Sequence, residues 1–118
     1  MYRLPCTIEY IRDEASPACI LTLPRTDLPR FISFVEKIKE GGCKGVELAG
    51  KDKKVCRVGR EGGLLVFVIG DLTLRLDEDQ DGCFVSFLAD MTADAPRYDH
   101  MDLEFRDAGM DLAVRVEG

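Results

Sequence analysis

Hydrophobic and polar positions alternate in two rhythms along the chain. Residues 6–11 are rich in β-formers, residues 12–17 are polar, and residues 19–23 are apolar up to Pro24. That pattern predicts two strands joined as a hairpin. The rhythm then slows. Leu28, Phe31, Ile32, Val35 and Ile38 recur at i, i+3, i+4, i+7 and i+10, one continuous helical stripe. Ser33, Glu36, Lys37 and Glu40 cover the opposite side. Thr26 or Asp27 can cap this helix, Pro29 is tolerated in its first turn, and Gly41-Gly42 stops it. A helix over about 27–40 follows.

After the helix the period falls to two. Residues 46–49 and 54–58 are short strand candidates, separated by a turn at 50–53. Residues 60–63 turn the chain again. Residues 64–69 are apolar at every position and predict a central strand buried on both faces. Gly70-Asp71 is a hairpin turn, and Leu72, Leu74 and Leu76 then alternate with polar positions. Residues 77–82 read as a polar turn, 83–89 as a further apolar strand, and 90–97 as a loop. Residues 98–105 and 110–116 form a last hairpin around 106–109, with Met110, Leu112, Val114 and Val116 on one face. Short turns favour antiparallel pairing. The expected fold is therefore α+β: a curved, mainly antiparallel sheet of about 7–9 strands packed on one amphipathic helix, ββα followed by a β meander. At 118 residues the expectation is a single domain over 1–118.

Composition narrows the classes. Hydrophobic residues make up 46% and charged residues 32%, which fits a globular chain and not a disordered one. The N-terminal residues lack the apolar stretch of a signal peptide. The longest apolar run, 64–69, is far short of the ~20 residues of a membrane span. A cytoplasmic protein that does not enter membranes is expected. Five cysteines, at 6, 19, 43, 56 and 83, form no CxxC pair, so neither a zinc knuckle nor a thioredoxin motif is available. Reduced structural thiols are expected, and Cys56 alone has several basic neighbours, Lys53, Lys54 and Arg57. No phosphate loop or nucleophile elbow occurs: Gly41-Gly42-Cys43-Lys44-Gly45 follows a helix and does not lead into one. No cofactor is implied.

Charge is unevenly spread. Residues 1–60 hold 12 Lys+Arg against 8 Asp+Glu, while residues 61–118 hold 4 against 14, within an overall charge of -6. An acidic half repels phosphate backbones, so nucleic acid is not the expected partner. The basic cluster Lys51, Lys53, Lys54, Arg57 and Arg60 also lacks interleaved aromatics. A basic protein is the expected partner instead.

Two segments carry candidate chemistry. Asp77-Glu78-Asp79-Gln80-Asp81-Gly82 begins like a calcium loop. The loop's later ligand positions fall on Val85 and Leu88, which cannot serve. In the second segment, His100, Asp102 and Glu104 project from one strand face, opposite Met101, Leu103 and Phe105. One imidazole and two carboxylates are weak metal candidates, or a base with an orienting partner.

The leading expectation is a non-catalytic acidic binding module, of inhibitor or immunity type. Its partner-binding residues would be Asp77, Asp79, Asp81, Tyr98, Asp99, Asp102 and Glu104. One alternative is a small metal-dependent or acid–base enzyme using the His100/Asp102/Glu104 face. A second is a small-ligand binder with a cavity between the sheet and the helix face of Phe31 and Val35. A structural subunit of a larger assembly is a third. A homodimer through an exposed sheet edge fits any of them.

Overall fold

Apolar side chains at helical and strand spacing must be buried against one another, and the arrangement that achieves this uses two sheets and two helices. The computed structural model describes residues 2–11, 17–50, 53–92, 99–105 and 108–118. The turn expected at 12–17 lies mostly outside the described residues, as do 93–98 of the expected loop and 106–107 of the last hairpin turn.

In chain order the elements are β1 (Tyr2–Pro5), β2 (Thr7–Ile11), β3 (Ala18–Pro24), a 3-10 turn (Arg25–Asp27), α1 (Leu28–Glu40), β4 (Gly45–Ala49), β5 (Val55–Glu61), β6 (Leu64–Ile69), β7 (Leu72–Arg75), α2 (Glu78–Thr92), β8 (His100–Phe105) and β9 (Met110–Glu117). The fold is α+β, as expected. It differs from the expectation in three ways.

First, the strands form two sheets. One has five strands in the order β1-β4-β5-β6-β7, the other four in the order β2-β3-β9-β8. The strand expected at 6–11 is β2, and a strand that was not expected, β1, precedes it; Cys6 lies between them, where the chain passes from one sheet to the other. The Cys6 N–H still donates to the Ala49 carbonyl at 3.1 Å, which extends the β1–β4 ladder to the crossing point.

Second, two strand pairs are parallel: β1 with β4, and β3 with β9. Short turns constrain only strands that follow one another. These two pairs join strands separated by long stretches of chain, where no turn dictates direction.

Third, a second helix, α2, replaces the turn expected at 77–82 and the strand expected at 83–89. The Asp77 N–H donates to Gln80 Oε1 at 3.1 Å, and the Gln80 N–H donates to Asp77 Oδ1 at 2.7 Å. This reciprocal pair is a capping box, which satisfies two backbone donors that a helix start otherwise leaves orphaned. The Asp81 N–H then reaches the Asp77 carbonyl at 2.9 Å, the first full helical bond. Phe84, Leu88 and Met91 are buried at helical spacing.

α1 matches its expected range. Its buried face is Leu28, Phe31, Phe34, Val35 and Ile38. Phe34 takes the place expected for Ile32, which is only partly buried, and its ring stacks on Tyr2 with centroids 4.4 Å apart. Asp27 stands at the N-cap without a side-chain cap bond, and its carboxylate instead lies 3.8 Å from Arg30. Gly41 ends the helix at φ 83°, where glycine carries no Cβ penalty.

Both sheets and both helices share one hydrophobic cluster. Phe84 is fully buried in it, edge-on to Phe31 at 6.3 Å and to Phe67 at 5.6 Å. Phe31 and Val35 are fully buried, so the helix face expected to line a ligand cavity is packed. Among the described residues, no helix is long and apolar enough to cross a membrane.

Candidate functional site

The N-terminal turn of α2 and strand β8 hold the acidic residues singled out in the sequence, and the fold brings these two segments together. Gln80, whose carboxamide oxygen closes the capping box, donates from Nε2 to the Glu104 carbonyl at 3.2 Å. One side chain thus ties the helix start to the end of β8.

Around this tie the surface opens into two adjoining grooves. The first, about 710 Å³, is lined by Asp77, Gln80 and Glu104 together with Arg75, Thr73 and Phe105. The second, about 550 Å³, runs across the outer face of the four-stranded sheet. Its rim carries Asp102, Glu104, Asp111 and Arg115, and its floor Ile20 and Ala113. Strand register explains the grouping: Asp102 lies opposite Ala113, Glu104 opposite Asp111, and Ala113 opposite Ile20. Directly paired residues project from the same face of a sheet. Four carboxylates from three elements therefore edge one continuous surface, with two arginines among them.

The candidates divide by role. Glu78 and Asp79 are exposed in the first turn of α2, where the partial positive charge of the helix start favours them. Asp81 turns inward instead. Its Oδ1 accepts from the Leu65 N–H at 2.9 Å, its Oδ2 lies 3.5 Å from Lys39 Nζ, and its side chain is 14% exposed. Lys39 Nζ also donates to the Asp81 carbonyl at 2.9 Å, and Arg60 donates to the Lys39 carbonyl at 2.7 Å. Asp81 thus helps hold the end of α1, the start of α2 and β6 together. Once this segment is helical, its three aspartates point to a cap, to solvent and inward. Helical geometry disperses the ligands that the D-x-D-x-D-G spacing would need to converge.

On β8, His100, Asp102 and Glu104 are exposed while Met101, Leu103 and Phe105 are buried, the alternation expected from the sequence. His100 Nδ1 lies 2.8 Å from Asp99 Oδ1, and Nε2 lies 3.7 Å from Asp102 Oδ2. The hydrogen bond to His100 is the main cause that holds the Asp99 carboxyl below its usual range. A strand advances ~3.3 Å per residue, so positions 100 and 104 stand about 13 Å apart along β8. Among the described residues, no three His, Cys, Asp or Glu side chains gather as a metal-binding group. The imidazole is 48% exposed. Tyr98 lies outside the described residues.

The gathering of carboxylates is partial. Glu61 pairs with Arg75, Asp71 sits in the β6–β7 turn, and Asp90 is near the far end of α2. The basic residues collect elsewhere. Lys53, Lys54 and Arg57 line a separate groove of about 410 Å³, into which β2 brings Tyr10. Lys54 Nζ lies 5.5 Å from the centre of that ring, so the fold supplies an aromatic that the local sequence lacks.

Sequence reasoning missed Gln80, Asp111 and the half-exposed Phe87. Gln80 had a readable signal, the D-x-x-Q spacing of a capping box. Asp111 had none, because its place beside Glu104 depends on the β8–β9 register. Comparison of the chain with protein-family models, with curated proteins and with solved structures finds no match.

Proposed function

We propose that the protein is a non-catalytic binding module that docks a basic protein surface on the face shared by the start of α2 and the β8–β9 hairpin. One observation carries this reading: the Gln80–Glu104 hydrogen bond that joins the two acidic segments, so that Asp77, Asp102, Glu104 and Asp111 edge adjoining grooves. Carboxylates grouped on one face act together on an approaching cation, raising the encounter rate and setting orientation. Glu78 and Asp79 add to the field from the exposed first turn. The same field repels phosphate, so nucleic acid is not the partner of this face. A cytoplasmic setting suits the five thiols, none of which forms a disulfide.

The test is retention of partners from native lysate at low and high salt, with the wild-type protein beside two variants. Asp102→Lys combined with Glu104→Lys reverses the proposed face, and Lys53→Glu alters the other groove. A partner bound at low salt should be lost at high salt and on reversal of Asp102 and Glu104, yet kept by Lys53→Glu. Each rim charge is worth about 0.2–1 kcal/mol, so the double reversal should weaken binding several-fold. A partner held equally by the double reversal would refute the reading.

A further inference from the structure

β8 is an edge strand: among the described residues it pairs with β9 alone. An edge strand presents unpaired backbone donors and acceptors. Which residues present them here follows from two bonds. The Asp99 carbonyl accepts from the Val116 N–H of β9 at 2.9 Å, so odd positions direct their backbone groups toward β9. The Glu104 carbonyl accepts from Gln80 of α2, so even positions direct theirs away. Gln80 occupies the edge at Glu104. The N–H and C=O groups of His100 and Asp102 face away from β9 and meet no strand among the described residues.

Beside that stretch lies an apolar groove of about 260 Å³ between α2 and β8. Phe87, Met91, Met101 and Leu103 line it, with His100 and Asp102 at the rim. Phe87 is 47% exposed although it lies on a helix that buries Phe84, Leu88 and Met91. A strand laid along β8 would send alternate side chains to opposite faces. Those on one face would enter the groove beside Phe87. Those on the other would meet Asp102, with Asp99 and Glu104 close by along the strand.

We propose that β8 takes up an extended segment of the basic partner as an added strand, with apolar and basic side chains alternating along it. The proposal rests on the acidic-face reading and names the mode of docking. Added strands draw affinity from main-chain hydrogen bonds and selectivity from the pockets for alternate side chains. A second copy of this chain is a poorer occupant. Pairing β8 with its own copy in parallel register, or antiparallel about Asp102, would set carboxylate against carboxylate, where like charges repel, and the copy's β8 brings no positive charge beyond its single His100.

The probe is a short synthetic peptide of alternating lysine and valine, titrated at low salt against the full chain. Two control peptides accompany it: one N-methylated on every second residue to remove the donors that would face β8, and one with the same composition in two blocks. Phe87→Ala, whose ring is half exposed, and Asp102→Lys are the protein variants, their folding checked by circular dichroism. The alternating peptide should bind. N-methylation, the block sequence and Phe87→Ala should each weaken it by about tenfold.

Equal binding of the alternating, N-methylated and block peptides would overturn strand addition while leaving charge-driven docking intact. Binding that survives Asp102→Lys and high salt but is lost on N-methylation would keep the edge site and overturn the acidic reading. Absence of binding by the alternating peptide would overturn the proposal, as would a stable dimer that the peptide does not dissociate.

Discussion

A thiol reacts through its thiolate, so the depth of each cysteine decides its chemistry more than its sequence neighbours do. Cys56 shows the contest directly. Lys53, Lys54 and Arg57 flank it in the sequence, yet strand alternation turns Cys56 into the core while Arg57 faces out. Burial dominates and raises the Cys56 thiol well above its ordinary 9.0. Burial likewise pushes Cys6 up to about 12 and Cys19 up to about 11, with Lys54 partly opposing the rise at Cys19. Cys83 is exposed, and Cys43 is half-buried with its thiol directed at the Gly45 carbonyl. At pH 8 an alkylating reagent should therefore label Cys83 fast, Cys43 more slowly, and Cys6, Cys19 and Cys56 only when the protein opens. Peptide mapping by mass spectrometry reads this directly, and rapid native labelling of Cys56 would refute it. The sign of the shifts also fixes a pH response. A thiol with a raised folded-state pKa leaves stability unaffected below about pH 9, and stability then falls as pH rises from 9 toward 12.

α1 and α2 differ in how openly the sequence announces them. α1 carries a long one-faced stripe, a proline near its start and a glycine at its end, all local signals that agree. In α2 they conflict. Residues 77–82 have the composition of a turn, and the apolar residues of 83–89 fit a two-residue period as well as a helical one. What decides for helix is the Asp77–Gln80 capping box together with Phe84, Leu88 and Met91, the last lying beyond the apolar run. Gly82 sits within this helix, and a Cβ built on it would meet nothing within 4 Å. Gly82→Ala should thus stabilise the protein by about 0.5–1 kcal/mol, because alanine loses less backbone entropy in a helix. Gln80→Ala, which removes half of the capping box, should cost about as much. Thermal melts of the two variants check both. Destabilisation by Gly82→Ala would mean that residues 78–92 do not form a continuous helix.

At the scale of the whole molecule, the legible pairings are those joined by short connections, β2–β3, β4–β5, β5–β6, β6–β7 and β8–β9, because the turn residues that set them sit in the sequence beside them. At Gly70, for example, the β6–β7 turn adopts φ 59°, a conformation glycine accepts freely. β3–β9 and β1–β4 were not legible, since their partners lie far apart and only the common core selects them. The acidic site shares that limit: its residues were readable one segment at a time, but their meeting at Gln80 depends on where α2 packs. The same long-range pairings bear on cooperativity. β9 joins the C-terminal end of the chain to β3, and Phe84 touches both Phe31 of α1 and Phe67 of the five-stranded sheet. Neither sheet can open without exposing the core that both share. Cys19 on β3 and Cys56 on β5 report on the two sheets separately, since each is fully buried. Their labelling should thus become accessible over one and the same denaturant transition, coincident with the loss of far-ultraviolet circular dichroism. Two separated labelling midpoints would mean that the sheets unfold independently, and that their shared core is too weak to couple them.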